Sequence, residues 1–358
     1  MTTLPRRAAL ALPFLALARP APAAEAGFLA AAADAEGRWR VAAFGADGAK
    51  RFESAMPARG HGAAVGPDGG TAVLFARRPG HFALVLDPAS GALRQVVERA
   101  PGRWFCGHGA FSADGGTLWA SEIDATGEGV VGVYAVRRGY ARIGEFPTGG
   151  ADPHDVRLAP DGASIWVANG GIRTDPRLPR TRFELEAFDS SLVRLDTGSG
   201  RLLARHRVAQ DASLSLRHLA LAPDGTVAIA MQHEGPRQDR PPLVALVDAA
   251  GLAVLPGPAA GWGLLDHYIG SAAASADGTL FAVTSPRGGA GLVIEAASRR
   301  VRAAFTLRDG CGVAAAPGGF LVTSGLGGGV LVAADGTQRR LENPFLAGLR
   351  WDNHMVPI

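Results

Sequence analysis

A short cassette recurs along most of this chain and limits its possible folds more than any other feature. Each copy has a His or Gly residue, then an apolar run of three to six residues, then a turn written Pro/Ala-Asp-Gly. The spacing of these turns, mostly between the middle forties and the fifties, is the length of one blade in a β-propeller. The turn aspartates are Asp68, Asp114, Asp161, Asp224 and Asp277, with a degenerate last copy at 311–319.

Short apolar runs after each cassette read as further strands, for example 71–75 and 117–121. Four such strands per repeat make a propeller blade, and the 49 Gly and 24 Pro of the 358 residues supply the turns. We therefore predict an all-β fold of the WD40/YVTN-like kind, a single β-propeller domain over 24–358. Seven blades fit this length, with six as the alternative. The one long step, between Asp161 and Asp224, predicts a long loop at 170–190 over one face.

The C-terminal segment 350–356 supplies a short strand and one more His, whereas the first repeat lacks its own cassette. We expect this segment to complete the first blade and close the ring. Closure of this kind removes the open strand edge that would otherwise pair with other chains.

Residues 1–23 are predicted to be an export signal of the twin-arginine type. Arg6 and Arg7 precede an apolar stretch at 8–18, and small residues follow at 21–23. An ordinary secretory signal is the alternative, and both place the mature chain in the periplasm. The apolar stretch is too short to span a bilayer, so we expect no membrane span after signal removal. Arg6, Arg7 and Arg19 account for the formal net charge of +3, and a near-neutral mature chain gives no reason to expect nucleic acid as a partner.

Five histidines occupy equivalent places in different repeats, so they should converge where the innermost strands meet at the central channel. Imidazole is a common ligand of copper, zinc and iron, which makes these residues candidate ligands of a copper or iron ion. The competing interpretation is that they hydrogen-bond to backbone and pin adjacent blades together. A six- or seven-residue offset from the turn Asp would put them on opposite faces unless bulges intervene. The five are His61, His108, His154, His218 and His354.

Other polar residues near the cassettes are candidates for supporting roles. Carboxylates near the histidines could orient imidazoles or ligate directly, namely Asp155, Glu122 and Asp124. Ser271 and Cys311 stand at the His position in two repeats, and Asn169 and Arg287 lie where a ligand could be touched. Cys106 and Cys311 could form one disulfide or remain two buried thiols. The sequence has no G-x-S-x-G elbow, and it identifies no catalytic residue.

As a set, several motifs resemble the exported family known as domain of unknown function 1513. They are GHGAFS at 107–112, VGVY at 131–134, PHD at 153–155, VANGGI at 167–172, RHL at 217–219, YIGS at 268–271, DGCGV at 309–313 and WDNH at 351–354. The resemblance implies a seven-bladed propeller and a periplasmic role in iron or copper handling, since such proteins are often encoded beside imelysin-type iron-uptake proteins. The cassette at 153–155 is also similar to inner-strand His motifs of copper propellers, which share an architecture with many functions.

Three functions follow from these observations as hypotheses. The first is a propeller that binds a metal or small ligand at a His-lined channel mouth as an accessory to iron or copper uptake. The second is a non-catalytic platform for partner proteins, with structural histidines. The third is an enzyme, either a copper-dependent oxidase or a lactonase-like hydrolase. The sequence favours this hypothesis least, because it identifies no catalytic residue.

Overall fold

A computed structural model describes residues 27–178, 182–183, 188–208 and 213–358, and the predicted export signal lies outside them. Seven antiparallel four-stranded sheets make up the molecule. The seven-bladed all-β prediction is therefore confirmed.

The blades follow one another along the chain. Blade 1 starts with β1 (Gly27–Ala33), β2 (Trp39–Gly45) and β3 (Lys50–Ala55). Blade 2 has β4 (Gly60–Val65), β5 (Ala72–Ala76), β6 (Phe82–Leu86) and β7 (Leu93–Glu98). Blade 3 has β8 (Arg103–Phe111), β9 (Thr117–Asp124), β10 (Glu128–Ala135) and β11 (Ala141–Ala151).

Blade 4 has β12 (Pro153–Leu158) and β13 (Ser164–Asn169), then the small ribbon of β14 (Arg173–Thr174) and β15 (Arg182–Phe183), then β16 (Ser191–Asp196) and β17 (Leu202–His206). Blade 5 has β18 (Leu214–Leu221), β19 (Val227–His233), β20 (Val244–Asp248) and β21 (Gly251–Val254). Blade 6 has β22 (Ser271–Ala274), β23 (Leu280–Ser285), β24 (Ala290–Glu295) and β25 (Arg300–Thr306).

Blade 7 has β26 (Gly310–Ala316), β27 (Gly319–Ser324), β28 (Gly329–Ala333) and β29 (Gln338–Arg340). The short helix α1 (Pro344–Gly348) then leads to β30 (Arg350–Pro357). Short 3₁₀ helices lie at Val136–Arg138 and Trp262–Leu265. No helix in the described part of the chain is both long and apolar enough to cross a membrane.

The last strand closes the ring. β30 pairs antiparallel with β1, with Phe28 opposite Pro357 and Ala33 opposite Arg350. Blade 1 therefore takes its innermost strand from the C-terminus and its outer three from the N-terminus, as the sequence predicts. Every blade then presents one innermost strand to the channel: β30, β4, β8, β12, β18, β22 and β26.

The recurring Asp-Gly turn joins the innermost strand of a blade to the next strand. In blade 2, Oδ1 of Asp68 accepts a hydrogen bond from the backbone N–H of Gly70 at 2.9 Å, while Gly69 takes a positive φ of 67°. Gly adopts this left-handed backbone at little cost, and the Asp side chain replaces a backbone acceptor in the turn. The cassette therefore fixes where each inner hairpin reverses.

Candidate functional site

The five repeated histidines meet on the channel axis. His61 lies on β4, His108 on β8, His154 on β12, His218 on β18 and His354 on β30. In nine of the ten pairs, the ring centroids lie 4.4–6.5 Å apart. We call these five residues the His cluster. Residues almost 300 positions apart in sequence thus share one small volume, since five rigid strands converge there.

β-Bulges explain how histidines at different offsets from the turn Asp can face the same way. Regular pairing is interrupted around the histidine in each of the five strands, for example between Gly60 and Ala63 in β4 and between Phe105 and Gly109 in β8. A bulge inserts extra residues into one strand and re-aims the following side chain. The different offsets from the turn Asp therefore still lead to the same point.

The ring nitrogens lie close enough together for small movements to bring them onto one metal ion. They form two triads that share His108, one with His61 and His354 and one with His154 and His218. Because the ligand atoms of a triad all lie within 4.8 Å of one another, each is about 3 Å or less from a common point, close to the roughly 2 Å of a metal–nitrogen bond. Movements of about 1 Å would complete such a bond.

Several buried ring nitrogens of the His cluster have no hydrogen-bond partner in the described part of the chain. They are Nδ1 of His61, Nε2 of His108, Nδ1 of His218 and Nε2 of His354. Within the same described residues, none of the five rings bonds to a backbone group, although exposed pairs such as His81 with Arg99 do form side-chain bonds. An unsatisfied buried polar atom is costly, and these nitrogens are available to a hydrogen-bond donor or a metal ion.

Burial keeps the imidazoles neutral. It is the main reason that the pKa values of His108, His154, His218 and His354 lie well below the ordinary value, and neighbouring cluster members or nearby arginines lower them further. The pKa of His61 is also lowered by burial, although Asp352 opposes the shift. Neutral imidazole carries the lone pair that a metal ion needs.

Two buried carboxylates lie behind the cluster. Oδ1 of Asp352 is 3.6 Å from Nδ1 of His61, and Oδ1 of Asp155 is 3.4 Å from Nδ1 of His108. Burial alone would raise the pKa of Asp352, but His61 and Arg59 outweigh it and lower the pKa. Nδ1 of His61 and Oδ1 of Asp155 have no hydrogen-bond partner among the described residues, so these are close approaches without a hydrogen bond. Small movements would bring each carboxylate to an Nδ1–H, which is the usual arrangement behind metal-binding histidines.

Asp155 is also anchored on its other side. Its Oδ2 accepts a hydrogen bond from the backbone N–H of Leu219 at 2.9 Å, which ties blade 4 to blade 5. Burial raises the pKa of Asp155, and Arg157, 3.2 Å away, opposes the rise. The structure thus places this residue beside an imidazole, where the sequence suggested it.

Glycines next to the histidines give the rings room. A Cβ atom on Gly62 would lie 2.6 Å from Nδ1 of His108, and one on Gly107 would lie 2.6 Å from Cδ2 of His61. Gly107 also has a φ of 102°, which side chains rarely adopt. The His-Gly pairing in the cassettes is therefore a packing requirement of the cluster.

A pocket of about 440 Å³ opens over the His cluster at one mouth of the channel. Its wall includes His61, His154 and His218, with Thr174 and Pro176 from the long loop after β13. These two described residues of the predicted loop thus lie at the same mouth. We call this cavity the channel pocket, and its other lining residues are Arg77, Arg78, Pro79, Cys106, Ile123, Arg217, Gln232, Glu234, Tyr268, Arg287 and Asn353.

A buried aspartate holds two of these arginines. Asp152 binds Nη1 of Arg78 through one carboxylate oxygen and Nη1 of Arg217 through the other, the latter at 2.5 Å. Burial would raise the pKa of Asp152, but Arg217 and Arg78 outweigh it and lower the pKa. Nη1 of Arg217 also lies 3.4 Å from Nδ1 of His154, which links this ion pair to the cluster.

Three candidates from the sequence are engaged elsewhere. The buried carboxylate of Glu122 accepts hydrogen bonds from the Tyr134 hydroxyl and from Arg142 within blade 3. Asp124 accepts the backbone N–H groups of a turn at 126–128. The side-chain amide of Asn169 donates to backbone and side-chain oxygens of Thr148 and Ser191. These hydrogen bonds stabilise turns and contacts within or between blades. None of these bonds involves an imidazole of the His cluster.

The remaining candidates divide between the pocket wall and blade contacts. Arg287 lines the channel pocket, its guanidinium 4.2 Å from the Tyr268 ring centroid. Oγ of Ser271 accepts the backbone N–H of Val313 at 3.4 Å, so it joins blades 6 and 7. Sγ of Cys311 is buried, 3.6 Å from Oδ1 of Asp309, and burial raises the pKa of its thiol. Both Cys106 and Cys311 are free thiols, so the disulfide alternative is not formed.

Sequence reasoning missed the charged residues around the cluster. Asp352, Asp152 and Arg59 each lie two positions from a cassette histidine, and Arg217 directly precedes one. That proximity was the available signal. Arg77 offered no comparable signal, because it approaches Arg59 and Asp352 only through the fold.

Comparison with solved structures supports the fold alone. Hydrazine synthase of Kuenenia stuttgartiensis matches 86% of this chain and 90% of its own, with a TM-score of 0.61 and 15% identity. No curated protein sequence matches the chain. The sequence model of the family described as "Protein of unknown function (DUF1513)" matches residues 54–358, which cover six of the seven blades and the closing strand. The chain therefore belongs to the DUF1513 family.

Proposed function

We propose that this propeller binds one transition-metal ion, copper or iron, in the His cluster. The observation that carries the proposal is the pair of imidazole triads whose ligand atoms lie within 4.8 Å of one another. Such a donor set, made of neutral nitrogen ligands, suits copper, iron and zinc better than the hard ions that prefer oxygen. Copper(II) would bind most tightly by the usual order of affinities.

The alternative of a platform with structural histidines makes a different geometric prediction. It requires imidazoles that donate to the backbone of neighbouring blades, as Asp155 accepts from Leu219. The unpartnered ring nitrogens of His108, His218 and His354 favour ligand binding over a purely structural role. The five rings also crowd one another, a costly arrangement if each served only its own blade contact.

The enzyme alternative has one observation in its favour. A bound metal would face the channel pocket, whose wall contains His61, His154 and His218, so a small molecule could reach it. Neither buried thiol is a convincing nucleophile, since burial raises the pKa of Cys106 and of Cys311 and disfavours the thiolate. Any activity would therefore depend on the metal, as in a copper-dependent oxidase.

In its cellular setting, we place the protein in the periplasm as an accessory to metal handling, beside imelysin-type or other iron-uptake proteins. This part of the proposal rests on the signal-like residues 1–23 and on the family resemblance. Cell fractionation of the full chain tests the location. Pull-down from periplasmic extract, with and without added iron, tests the partnership.

Elemental analysis by plasma mass spectrometry tests metal binding. The wild-type protein, purified from the periplasm and dialysed, should carry about one equivalent of copper or iron or take it up on addition. His108→Gln, which removes a ligand from both triads, should lower the affinity at least tenfold. His81→Gln is the matched control, since His81 is an exposed histidine outside the cluster.

The supporting carboxylates allow a second test. Asp155→Asn and Asp352→Asn should each weaken metal binding about 10- to 100-fold, because they orient ligating imidazoles. A wild-type protein that takes up neither copper nor iron would overturn the proposal. So would equal losses in His108→Gln and His81→Gln.

A further inference from the structure

The wall of the channel pocket carries more positive than negative charge. Four guanidinium groups line it, from Arg77, Arg78, Arg217 and Arg287. The opposing carboxylates are Glu234 in the wall and Asp152 behind it. Since the imidazoles are neutral, these groups leave a surplus of about two positive charges facing the cavity.

The four arginines are not equivalent. Arg78 and Arg217 are held by Asp152. Arg77 and Arg287 are exposed to the cavity, and neither has an ion pair with an acid among the described residues. Burial lowers the pKa of Arg77, repulsion from the neighbouring Arg59 lowers it further, and Asp352 opposes the shift. An anion would relieve this repulsion.

We infer that the channel pocket binds a small organic dianion of the dicarboxylate class, with Arg77 and Arg287 as its charged contacts. Arginine presents a planar set of donors that matches a carboxylate in a two-bond arrangement. Two carboxylates would balance the surplus charge of the wall. The volume of about 440 Å³ is more than enough for a ligand of this size and lies within the usual range for small-molecule sites.

Polar groups between the arginines complete the wall. The hydroxyl of Tyr268 accepts a hydrogen bond from Nδ2 of Asn353 at 3.2 Å, while Arg287 lies over the Tyr268 ring. Gln232 is oriented by its bond to the backbone oxygen of Ile269 at 3.1 Å. These contacts fix the side chains before a ligand arrives, which lowers the entropic cost of binding.

The same pocket reaches the His cluster, so the dianion would lie against a metal held there and supply it with an oxygen ligand. This step rests on the proposed metal function, whereas the anion site itself does not. With both sites filled, the protein would hold the metal ion and the organic acid as one complex.

Isothermal titration calorimetry of the metal-free protein with succinate tests the anion site. Succinamide, its uncharged analogue of nearly the same shape, is the ligand control. Arg77→Gln and Arg287→Gln should each weaken succinate binding about tenfold, since each removes a charge-assisted contact. Arg339→Gln, an exposed arginine on the outermost strand β29, should leave it unchanged.

Binding should also weaken between 50 and 200 mM salt, because it is electrostatic. Succinate that fails to bind, binds no better than succinamide, or binds Arg77→Gln and Arg287→Gln as well as wild type would overturn the inference. The double variant His108→Gln/His354→Gln separates the two proposals, because both residues belong to the His cluster and neither lines the channel pocket. It should lose metal but still bind succinate, so failure of the metal site leaves the anion site measurable.

Discussion

Replacing Asp152 with asparagine should destabilise the propeller by about 3 kcal/mol. The Asp152 carboxylate is fully buried and binds two guanidinium groups, of which Arg217 is also buried. Removing one partner of a buried ion pair typically costs about 3–5 kcal/mol, because the remaining charge is left uncompensated. The lower end applies here, since Asn keeps one acceptor and Arg78, with 24% of its side chain exposed, can turn toward water.

The backbone offers no competing explanation for such a loss. Asp152 has a φ of 55°, and asparagine tolerates this left-handed conformation as well as aspartate does. The substitution is also nearly isosteric. Any large effect therefore reports the charge.

Thermal unfolding at pH 7, followed by circular dichroism or calorimetry, measures the effect. With an unfolding entropy of about 2.1 cal/mol/K per residue and roughly 330 residues, a loss of about 3 kcal/mol lowers Tm by about 4 °C. Asp189→Asn is the matched control. Asp189 and Arg207 form a half-exposed pair at 2.7 Å, and such pairs contribute about 1 kcal/mol or less.

A decrease in Tm for Asp152→Asn no larger than that for Asp189→Asn would refute the reasoning. It would mean that the two arginines find water or other partners when the carboxylate charge is gone. An increase in Tm would mean that desolvation of the buried charges outweighs their attraction.

Three further predictions concern other parts of the fold. Glu145 has its pKa lowered to about 2, mainly by its hydrogen bonds from Arg103. The contribution of Glu145 to the free energy of unfolding is thus complete above pH 4.5 and is lost as the pH falls toward 2. Because its side chain is 30% exposed, Glu145→Gln should cost about 1 kcal/mol of stability at pH 7. Urea unfolding should show the difference between the variant and wild type shrinking below pH 4.5. Gly62→Ala should displace the His108 ring, cost about 1–3 kcal/mol of stability and weaken metal binding. Gly144→Ala is its control, because a Cβ there meets nothing within 4 Å, and it should leave Tm and metal uptake unchanged. Equal effects of the two substitutions would contradict the packing argument. Deleting 350–358 removes the innermost strand of blade 1 and exposes the edge of β1, so light scattering should detect aggregation, and a soluble, monomeric product would contradict the role given to the closing strand.

Much of the fold could be predicted because its signals are local. The Asp-Gly turns set the inner hairpins, and the apolar runs after them became strands. The closing strand followed from a missing innermost strand in the first repeat and an extra one at the C-terminus. The long step between Asp161 and Asp224 became a loop that contains the small ribbon of β14 and β15.

The candidate site was predictable only in part. Repeat position indicated that the five histidines converge, but it could not fix the direction of their rings. That direction depends on bulges, and a bulge arises where a strand must fit its partner, as at 105–109 opposite Glu122 and Ala120. The sequence suggested that Glu122 could orient the histidines, whereas in the structure its carboxylate binds Tyr134 and Arg142. These partners lie on other strands of the same blade, so the sequence near Glu122 does not reveal them.

The sequence by itself determined the architecture of this protein: a repeated turn, strands of matching length and one spare strand admit few structures besides a closed ring of blades. Only the tertiary structure decided what lies at the centre of that ring. Asp352 meets His61 across 291 positions, and Asp152 meets Arg78 and Arg217 from two other blades. Turns and strands are set by interactions within a few residues, whereas burial, pKa and charge balance depend on everything that the closed ring brings within a few ångströms.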